Sequence, residues 1–321
     1  MGLLVNGQWQ DKWYDTKKSD GEFIREDSQY RHWLSTDGGD NGFIAEANRY
    51  HLYVSLACPW AHRTLIFRKL KKLENLISVS IVHPHMLDKG WSLDDGFDGA
   101  TGDALYDSEF LYEIYTRDNT NYSGRVTVPI LWDKKQGRIV NNESEDIIRI
   151  FNSAFNHLTN DHSDFYPAAY RDQIDEVNEK IYHHINNGVY KCGFATKQAV
   201  YEKSFDALFS ELESVENRLS KKRYLIGGQL TEADWRLFTT LIRFDAVYVG
   251  HFKCNLKRIA DYKNISNYLR ELYQYSGIKE TVSLVHIKQH YYCSHDMINP
   301  TRIVPLGPEL NLDKAHNRDA L

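Results

Sequence analysis

The stretch His51-Leu-Tyr-Val-Ser-Leu-Ala-Cys-Pro-Trp60 decides how the first half of this chain folds. Its residues 51–57 predict a β-strand, and Pro59 stands where proline is favoured, at the first position of a helix. The residues that follow carry an apolar stripe at helical spacing: Ile66, Leu70 and Leu73. The sequence therefore predicts a strand-to-helix junction with Cys58 as the N-cap of the helix.

The position of Cys58 favours a reactive thiolate. The N–H groups of a first helical turn, and the positive end of the helix dipole, point at an N-cap side chain. They can lower the pKa of a cysteine well below its ordinary value of ~8.5, and the thiolate is the form that attacks another sulfur. A buried structural cysteine is the alternative, because free cysteine is among the most buried residue types.

The residue three positions after Cys58 is Ala61 rather than a second cysteine. Strand, cysteine, proline and helix in this order are the arrangement of thioredoxin-like domains, in which a second cysteine can close an internal disulfide. Without that cysteine, a mixed disulfide on Cys58 must be resolved by a diffusible thiol. The sequence thus predicts monothiol chemistry with glutathione as the thiol.

Further patterns place this junction in a small α/β domain. Residues 84–104 are predicted to form a long loop, and residues 1–45 an irregular extension on the surface. Asn142 is predicted to cap a helix in a capping box with Glu145. The remaining elements are strands at 78–82, 126–132 and 137–140 and a helix at 106–117. This mixed order predicts a sheet with helices on both faces.

From about residue 170 the chain is predicted to be helical throughout. Thr231-Glu232-Ala233-Asp234 has the spacing of a capping box and predicts one helix start. The apolar stripes include Ile174, Val177, Ile181 and Ile185, then Phe205, Leu208, Phe209 and Leu212, then Ile265, Tyr268, Leu269 and Leu272. We therefore expect an extension at 1–45, an α/β domain at 46–158 and an all-helical domain with a polar tail at 165–321.

Composition excludes several classes of protein. The 39 Lys and Arg against 44 Asp and Glu give a net charge of −5, which gives no electrostatic case for nucleic acid. We expect no membrane segment, no signal peptide, no metal site and no nicotinamide cofactor, because the corresponding runs and motifs do not occur. The four cysteines have no paired or metal-like spacing, so a reducing cytoplasm is the expected location.

Two short segments could complete a thiol site around Cys58. In thioredoxin-like domains a cis-proline precedes the strand that faces the active cysteine, so Val128-Pro129 is predicted to be a cis bond; otherwise this proline indicates an edge strand. Asn142-Glu143-Ser144 begins a helix, where N–H groups and a hydroxyl can bind a carboxylate and Glu143 can pair with an amine. A γ-glutamyl group carries both; ordinary capping is the alternative.

Together these features resemble the glutathione transferase superfamily, and within it the Xi class of glutathionyl-hydroquinone reductases. The motifs that carry the resemblance are Ser55-Leu-Ala-Cys-Pro-Trp-Ala-His-Arg63, Gly124-Arg-Val-Thr-Val-Pro129, Asn142-Glu-Ser144, Asn187-Gly-Val-Tyr-Lys191, Thr231-Glu-Ala-Asp234 and Phe244-Asp-Ala-Val-Tyr-Val249. The resemblance covers nearly the whole chain. It implies a thioredoxin-like α/β domain followed by an all-α domain, and a homodimer.

The resemblance also implies a reaction and assigns residues to it. Cys58 would attack the sulfur of a glutathionyl-hydroquinone, and a second glutathione would release glutathione disulfide from Cys58. Tyr190 would donate the proton that the aromatic ring needs, and Tyr248 and Tyr291 would stabilise the thiolate through their hydroxyls. The glutathione contacts that it implies are Trp91, Arg125, Val126, Glu143 and Ser144. Cys192, Cys254 and Cys293 are expected to be spectators.

Two other functions remain open from the sequence. A general glutathione thiol transferase or dehydroascorbate reductase would use Cys58 in the same way without the proton transfer. A binding module with a transferase fold would need no turnover at all, since a fold does not dictate its function.

Overall fold

The computed structural model describes residues 2–39 and 42–321, which form two compact units. The first comprises the residues up to Trp13 together with Glu26–Ser163 and Thr281–Ile303. The second comprises Tyr14–Arg25, Asp164–Glu280 and Val304–Leu321. Each unit is therefore assembled from three separate stretches of the chain.

A four-stranded sheet forms the core of the first unit. Its strands are β3 at Tyr50–Val54, β4 at Ile77–Ile81, β8 at Ile130–Asp133 and β9 at Arg138–Asn141. They lie in the order β4-β3-β8-β9: β3 pairs in parallel with β4 and antiparallel with β8, and β8 pairs antiparallel with β9. Every residue of β3 and β8 is buried, which is typical of strands covered on both faces. The predicted mixed α/β order is confirmed.

Helices flank this sheet, and the first unit also contains one from the far end of the chain. They are α1 at Pro59–Leu70, α2 at Leu111–Asp118, α3 at Ser144–Ser153, α4 at Asn156–Thr159 and α10 at Leu284–Ser294. The predicted stripe of α3 is buried as expected, with Ile147, Ile150 and Phe151 each no more than 1% exposed. Burying such side chains stabilises the fold by about 1.5–3 kcal/mol each.

Helix α10 groups with the first unit rather than with the helical residues that precede it in sequence. Its imidazoles and amides hydrogen-bond to residues within the segment 84–98. Gln289 contacts His85 at 2.8 Å, and the ring of His286 contacts the carbonyl oxygen of Asp98 at 2.7 Å. Such contacts join residues that are far apart in sequence. The sequence, read along the chain, therefore assigned this helix to the helical domain that precedes it.

Short strands occur where the sequence predicts none. Strands β1 (Leu3–Val5) and β2 (Gln8–Gln10) form a hairpin within the predicted irregular extension, and β1 pairs with β7 at Gly124–Arg125. Strands β5 at Met86–Leu87 and β6 at Gly90–Trp91 form a second hairpin inside the predicted long loop. The prediction of irregular structure for both segments was wrong at these positions.

Two predicted elements begin later than expected. Helix α2 begins at Leu111 rather than at residue 106. The strand predicted at 126–132 begins only at Ile130, because Pro129 has no N–H to donate to a neighbouring strand.

Helices make up the second unit, as predicted for this part of the chain. They are α5 at Arg171–Ile181, α6 at Gly188–Phe194, α7 at Gln198–Leu219, α8 at Glu232–Arg243 and α9 at Lys263–Gln274. Single π-helical turns at Tyr182–Asn186 and Phe244–Tyr248 follow α5 and α8. None of the helices in the described residues is long and apolar enough to cross a membrane.

Candidate active site

Cys58 is the N-cap of α1, as the sequence predicts. Its backbone is extended (φ −74°, ψ 124°), Pro59 occupies the first turn, and its side chain makes no capping hydrogen bond. The residue is half-buried, in contrast to the other three cysteines, which are buried. The thiol of this N-cap residue therefore lies at the positive end of a twelve-residue helix.

The sheet brings Val128 to Cys58. Because β3 and β8 are antiparallel, with Tyr53 opposite Ile130, the end of β3 that leads into Cys58 adjoins the start of β8. The Cys58 thiol donates to the carbonyl oxygen of Val128 at 3.7 Å. The Val128-Pro129 bond is cis, which confirms the prediction. Backbone polar groups are thus presented beside the sulfur, where an extended cysteinyl moiety can pair with them.

The helix start at α3 is built differently from the prediction. Its N-cap is Glu143, whose side chain accepts a hydrogen bond from the N–H of Glu145 at 3.2 Å. Asn142 instead accepts from the N–H of Tyr30 (3.1 Å) and donates to the hydroxyl of Tyr115 (3.1 Å). The predicted capping box of Asn142 and Glu145 was wrong, because long-range partners engage the asparagine.

Glu143 and Ser144 lie close to α1. The Ser144 hydroxyl donates to the carboxylate of Glu143 at 3.3 Å, and Arg63 of α1 donates to that hydroxyl at 3.4 Å. Ser28 also donates to Glu143, at 3.0 Å. Helices α1 and α3 thus begin beside each other, and a carboxylate, a hydroxyl and a buried guanidinium meet near the Cys58 end of α1.

Arg125 lies among residues of the N-terminal extension. Its guanidinium donates to the carbonyl oxygens of Lys12 (2.5 Å) and Trp13 (3.3 Å), and it lies 3.7 Å from the carboxylate of Glu26. The next residue, Val126, is 3% exposed. The extension therefore organises this predicted glutathione contact, which the sequence alone did not indicate.

Trp91 and Tyr291 belong to one row of aromatic rings. The indole of Trp91 is 4% exposed and stacks on the imidazole of His290, with 4.7 Å between the ring centroids. Tyr291 is the next residue of α10 and packs edge-on against His295. The row continues from His295 to Trp13 in the extension. These contacts hold the buried indole of Trp91 against α10.

Tyr190 and Tyr248 come together in the second unit. Tyr190 lies on α6 and Tyr248 in the π-helical turn after α8, with 6.2 Å between their ring centroids. The ring of Phe252 packs on both, nearly parallel to Tyr248 at 5.5 Å and 5.4 Å from Tyr190. Gly193 has no room for a side chain, because an added Cβ would lie 2.3 Å from the Phe252 ring. This cluster holds both phenols in fixed orientations.

Two of the remaining cysteines have settings that suppress reactivity. Burial, and next a hydrogen bond with Cys192, raise the pKa of the Cys254 thiol well above its ordinary value. Burial likewise raises the pKa of the Cys293 thiol.

Within residues 2–39 and 42–321, no cluster of three or more His, Cys, Asp or Glu side chains could hold a metal ion.

The sequence interpretation missed Ser28, Arg63 and His290, which contact the predicted site residues. No local signal marks them, because each reaches its partner across a large separation in sequence. The hairpin of the extension did carry a signal. Asn6-Gly7 joins β1 to β2, both residues have positive φ (48° and 73°), and Asn-Gly is the strongest short hairpin signal.

Sequence comparisons match both halves of the chain. The family described as the glutathione S-transferase N-terminal domain matches residues 57–154, and the corresponding C-terminal domain matches residues 198–271. Glutathionyl-hydroquinone reductase YqjG of Escherichia coli K12 is 57% identical over 324 residues, covering 99% of each chain. Glutathionyl-hydroquinone reductase PcpF of Sphingobium chlorophenolicum is 52% identical, covering 96% of each.

Solved structures agree with these matches. The glutathione-bound structure of Escherichia coli YqjG superposes with a TM-score of 0.92 at 54% identity, covering 99% of both chains. A Xi-class glutathione transferase from Natrialba magadii has a TM-score of 0.93 at 45% identity, covering 100% of this chain and 97% of that one. The fold and the cysteine at the start of α1 define a glutathione transferase. Within that superfamily, the chain belongs to the glutathionyl-hydroquinone reductases of the Xi class.

Proposed function

We propose that this protein reduces S-glutathionyl-hydroquinones to hydroquinones with glutathione as the reductant. The observation that carries the proposal is Cys58 at the N-cap of α1, beside the carbonyl of Val128, with Ala61 where a resolving cysteine would stand. Such a thiol can accept a glutathionyl group but cannot pass it to an internal partner. The names of the full-length relatives support the same substrate class.

The first half-reaction forms a mixed disulfide on Cys58. The thiolate attacks the glutathionyl sulfur, a sulfur–sulfur bond forms, and the bond between that sulfur and the aromatic carbon breaks. The electron pair stays on the ring carbon, which takes a proton from the hydroxyl of Tyr190. The products are the hydroquinone and Cys58 joined to glutathione.

The second half-reaction restores the enzyme. A second glutathione, as thiolate, attacks the glutathionyl sulfur of the mixed disulfide. Cys58 leaves as a thiolate, which the positive end of α1 stabilises, and glutathione disulfide departs. The proton that this glutathione loses balances the one that Tyr190 delivered to the ring. One thioether and one glutathione therefore give one hydroquinone and one glutathione disulfide.

Five residues are proposed to bind glutathione: Trp91, Arg125, Val126, Glu143 and Ser144. Glu143 and Ser144 at the start of α3 suit the γ-glutamyl group, because a carboxylate pairs with its amine while helical N–H groups bind its carboxylate. Arg125 suits the glycyl carboxylate, since its guanidinium is a charge-assisted donor. Tyr248 and Tyr291 are proposed to donate hydrogen bonds to the thiolate of Cys58.

Mass spectrometry tests the proposal directly. After incubation with a glutathionyl-hydroquinone and no free glutathione, the intact protein should gain one glutathione, and peptide mapping should place it on Cys58. The free hydroquinone should appear in equal amount. An adduct on another cysteine, or no adduct, would contradict the proposal.

The Tyr190→Phe variant separates this function from general thiol transfer. If Tyr190 supplies the ring proton, the variant should lose hydroquinone release but keep the glutathione-dependent reduction of a mixed disulfide, whose sulfur leaving group needs no such proton. Equal retention of both activities would favour a thiol transferase or dehydroascorbate reductase instead. Failure of Cys58 to react with any thiol probe at neutral pH would favour a binding module.

We further propose a cytoplasmic homodimer. The cytoplasm supplies the glutathione that the second half-reaction consumes, and all four cysteines are thiols in the structure, which suits a reducing compartment. The dimer follows from the resemblance to the family. Light scattering coupled to size-exclusion chromatography should give twice the chain mass of 37.5 kDa; a monomer would contradict the proposal.

A further inference from the structure

The segment that precedes Glu26 is held along α6 and the residues after it. The carboxylate of Glu22 lies 3.5 Å from the ammonium of Lys191, and Asp20 forms an ion pair with Lys197. The N–H of Thr196 donates to the carbonyl oxygen of Gly21 at 3.1 Å. Residues 20–25 therefore form a strap along α6, the helix that carries Tyr190.

The strap places a cation over the ring of Tyr190. The guanidinium of Arg25 lies 5.3 Å from the centroid of that ring, within the range of a cation–π contact. Its Nε donates to the side-chain oxygen of Asn187 at 3.2 Å. Phe23, also on the strap, stacks against Tyr190 with 6.2 Å between the centroids. Asn187 and Tyr190 both belong to the motif Asn187-Gly-Val-Tyr-Lys191. This motif therefore supplies both the Tyr190 ring and the side chain that accepts a hydrogen bond from Arg25.

We infer that Arg25 is a positioning residue for Tyr190, holding its ring and stabilising with its charge the phenolate that remains after proton transfer. The inference rests on the proposed role of Tyr190 as proton donor. Tyr190 is only 8% exposed, so little solvent screens the interaction between the guanidinium and the ring.

Charge is the reason to assign Arg25 more than a packing role. Arg25 contacts the ring of Tyr190 with a charged group, whereas Phe23, Phe194 and Phe252 contact it with rings that cannot ionise and Tyr248 contacts it with a phenol. Arg25 therefore brings a permanent positive charge to this ring, and a cation favours the phenolate over the phenol.

The experiment compares Arg25→Met with Arg25→Lys by pH profile. Arg25→Met keeps a long apolar stem but removes the charge. We expect hydroquinone release to fall about three- to tenfold at neutral pH, and the alkaline limb of the profile to move up by about 0.5–1 pH unit. Arg25→Lys retains the charge, so its alkaline limb should stay close to that of the unaltered protein.

Glu22→Gln is the matched control. It removes a charged contact between the strap and α6, with Lys191, and leaves the Arg25 guanidinium and the Tyr190 ring unaltered. We expect its alkaline limb to remain in place. If Arg25→Met leaves the limb unmoved, or if Arg25→Lys and Glu22→Gln shift it as Arg25→Met does, the inference is overturned. Should Arg25→Met fail to fold, Arg25→Gln takes its place with the same expectation, because it also removes the charge while its side-chain amide can still donate to Asn187.

Glutathione-dependent disulfide reduction separates this inference from the proposed function. All three variants should keep that activity, because it needs Cys58 but no proton on a ring. If Tyr190→Phe has no effect on hydroquinone release, the proposed role of Tyr190 as proton donor fails. If Tyr190→Phe abolishes release while Arg25→Met changes neither rate nor pH profile, the inference about Arg25 fails alone.

Discussion

Helices α1 and α8 begin in opposite ways. At α8, Thr231 and Asp234 satisfy each other's backbone in a capping box, and Asp234 also accepts hydrogen bonds from Leu225 and Tyr268. At α1, Cys58 occupies the same N-cap position but makes no capping hydrogen bond. Asp234 is fully buried, whereas Cys58 is half-buried.

The difference separates stability from reactivity. In a closed capping box, side chains accept hydrogen bonds from the N–H groups of the first helical turn. The cap alone typically adds about 1 kcal/mol to the free energy of unfolding. A cysteine in that position leaves the field available to a charge on its sulfur. Changes at α1 should therefore affect chemistry with little effect on folding, and changes at α8 should do the reverse.

The largest effect should come from Cys58→Ser. A serine hydroxyl cannot form the mixed disulfide, so hydroquinone release should fall by about 10³-fold or more. Serine is also a better N-cap than cysteine, so the denaturation midpoint should not fall. Steady-state kinetics and urea unfolding on the same preparation give both results. A variant that unfolds early but keeps its turnover would reverse the comparison.

Asp234→Ala should have the next largest effect, and on stability. It removes the acceptor of bonds from Leu225, Thr231 and Tyr268 in a fully buried position, at a cost of about 3–4 kcal/mol. Urea unfolding measures this loss. In the fraction that remains folded, labelling of Cys58 by a thiol reagent should proceed at the unaltered rate; a slowed rate would show that the two helix starts are coupled.

Thiol labelling sharpens the contrast between cysteines. Burial raises the pKa of Cys254, so few of its thiols are ionised at neutral pH, whereas Cys58 lies at a helix start. Iodoacetamide should modify Cys58 about a hundredfold faster than Cys254 in the native protein. Peptide mapping over time measures both rates, and unfolding in urea should abolish the difference. Equal native rates would remove the argument for an activated Cys58.

Mild acid should weaken the strand that leads to Cys58. Burial lowers the pKa of His51 in β3 to about 4, below the ~6.5 of an exposed histidine. As the pH falls, His51 is therefore protonated in the unfolded chain at a higher pH than in the folded protein. The free energy of unfolding decreases as the pH falls from about 6.5 to about 4. The loss by pH 5 is about 2 kcal/mol.

Urea unfolding between pH 7 and 5 tests this pH dependence. His51→Gln should reduce the slope by about half, because burial lowers the pKa of two histidines to about 4, and His251 keeps titrating when His51 is removed. His157→Gln, at an exposed position, is the control and should leave the slope unchanged. Hydrogen exchange should show the loss in β3 more than at the start of α8, where no histidine takes part. An unchanged slope in His51→Gln would contradict the assignment.

The sequence predicted those helix starts whose determining residues lie within one helical turn of each other. Both helix starts were recoverable from the sequence, because Pro59 after an apolar run and Thr231 three residues before Asp234 act within one turn. The start of α3 was not, because Tyr30 and Tyr115, distant in sequence, engage Asn142. The surroundings of Arg125 were also not predictable, since they come from the extension.

Resemblance supplied most of the assigned roles. Of the nine assigned residues, local physics singled out Cys58, Glu143 and Ser144 alone. Nothing in the spacing of 21 tyrosines distinguishes Tyr190, Tyr248 and Tyr291 from the rest. The surroundings of Tyr190 and Tyr248, to which Phe252 belongs, come from residues distant in sequence, which no short pattern encodes.

The return of α10 to the first unit has a consequence for synthesis. On the ribosome, Trp91 emerges long before His290, the imidazole on which it stacks in the finished protein. At typical elongation rates the delay is roughly 10–40 s. During that interval the nascent first unit lacks the helix that completes its aromatic row. The stacking of Trp91 on His290 can therefore form only after the helical residues up to Glu280 have been made.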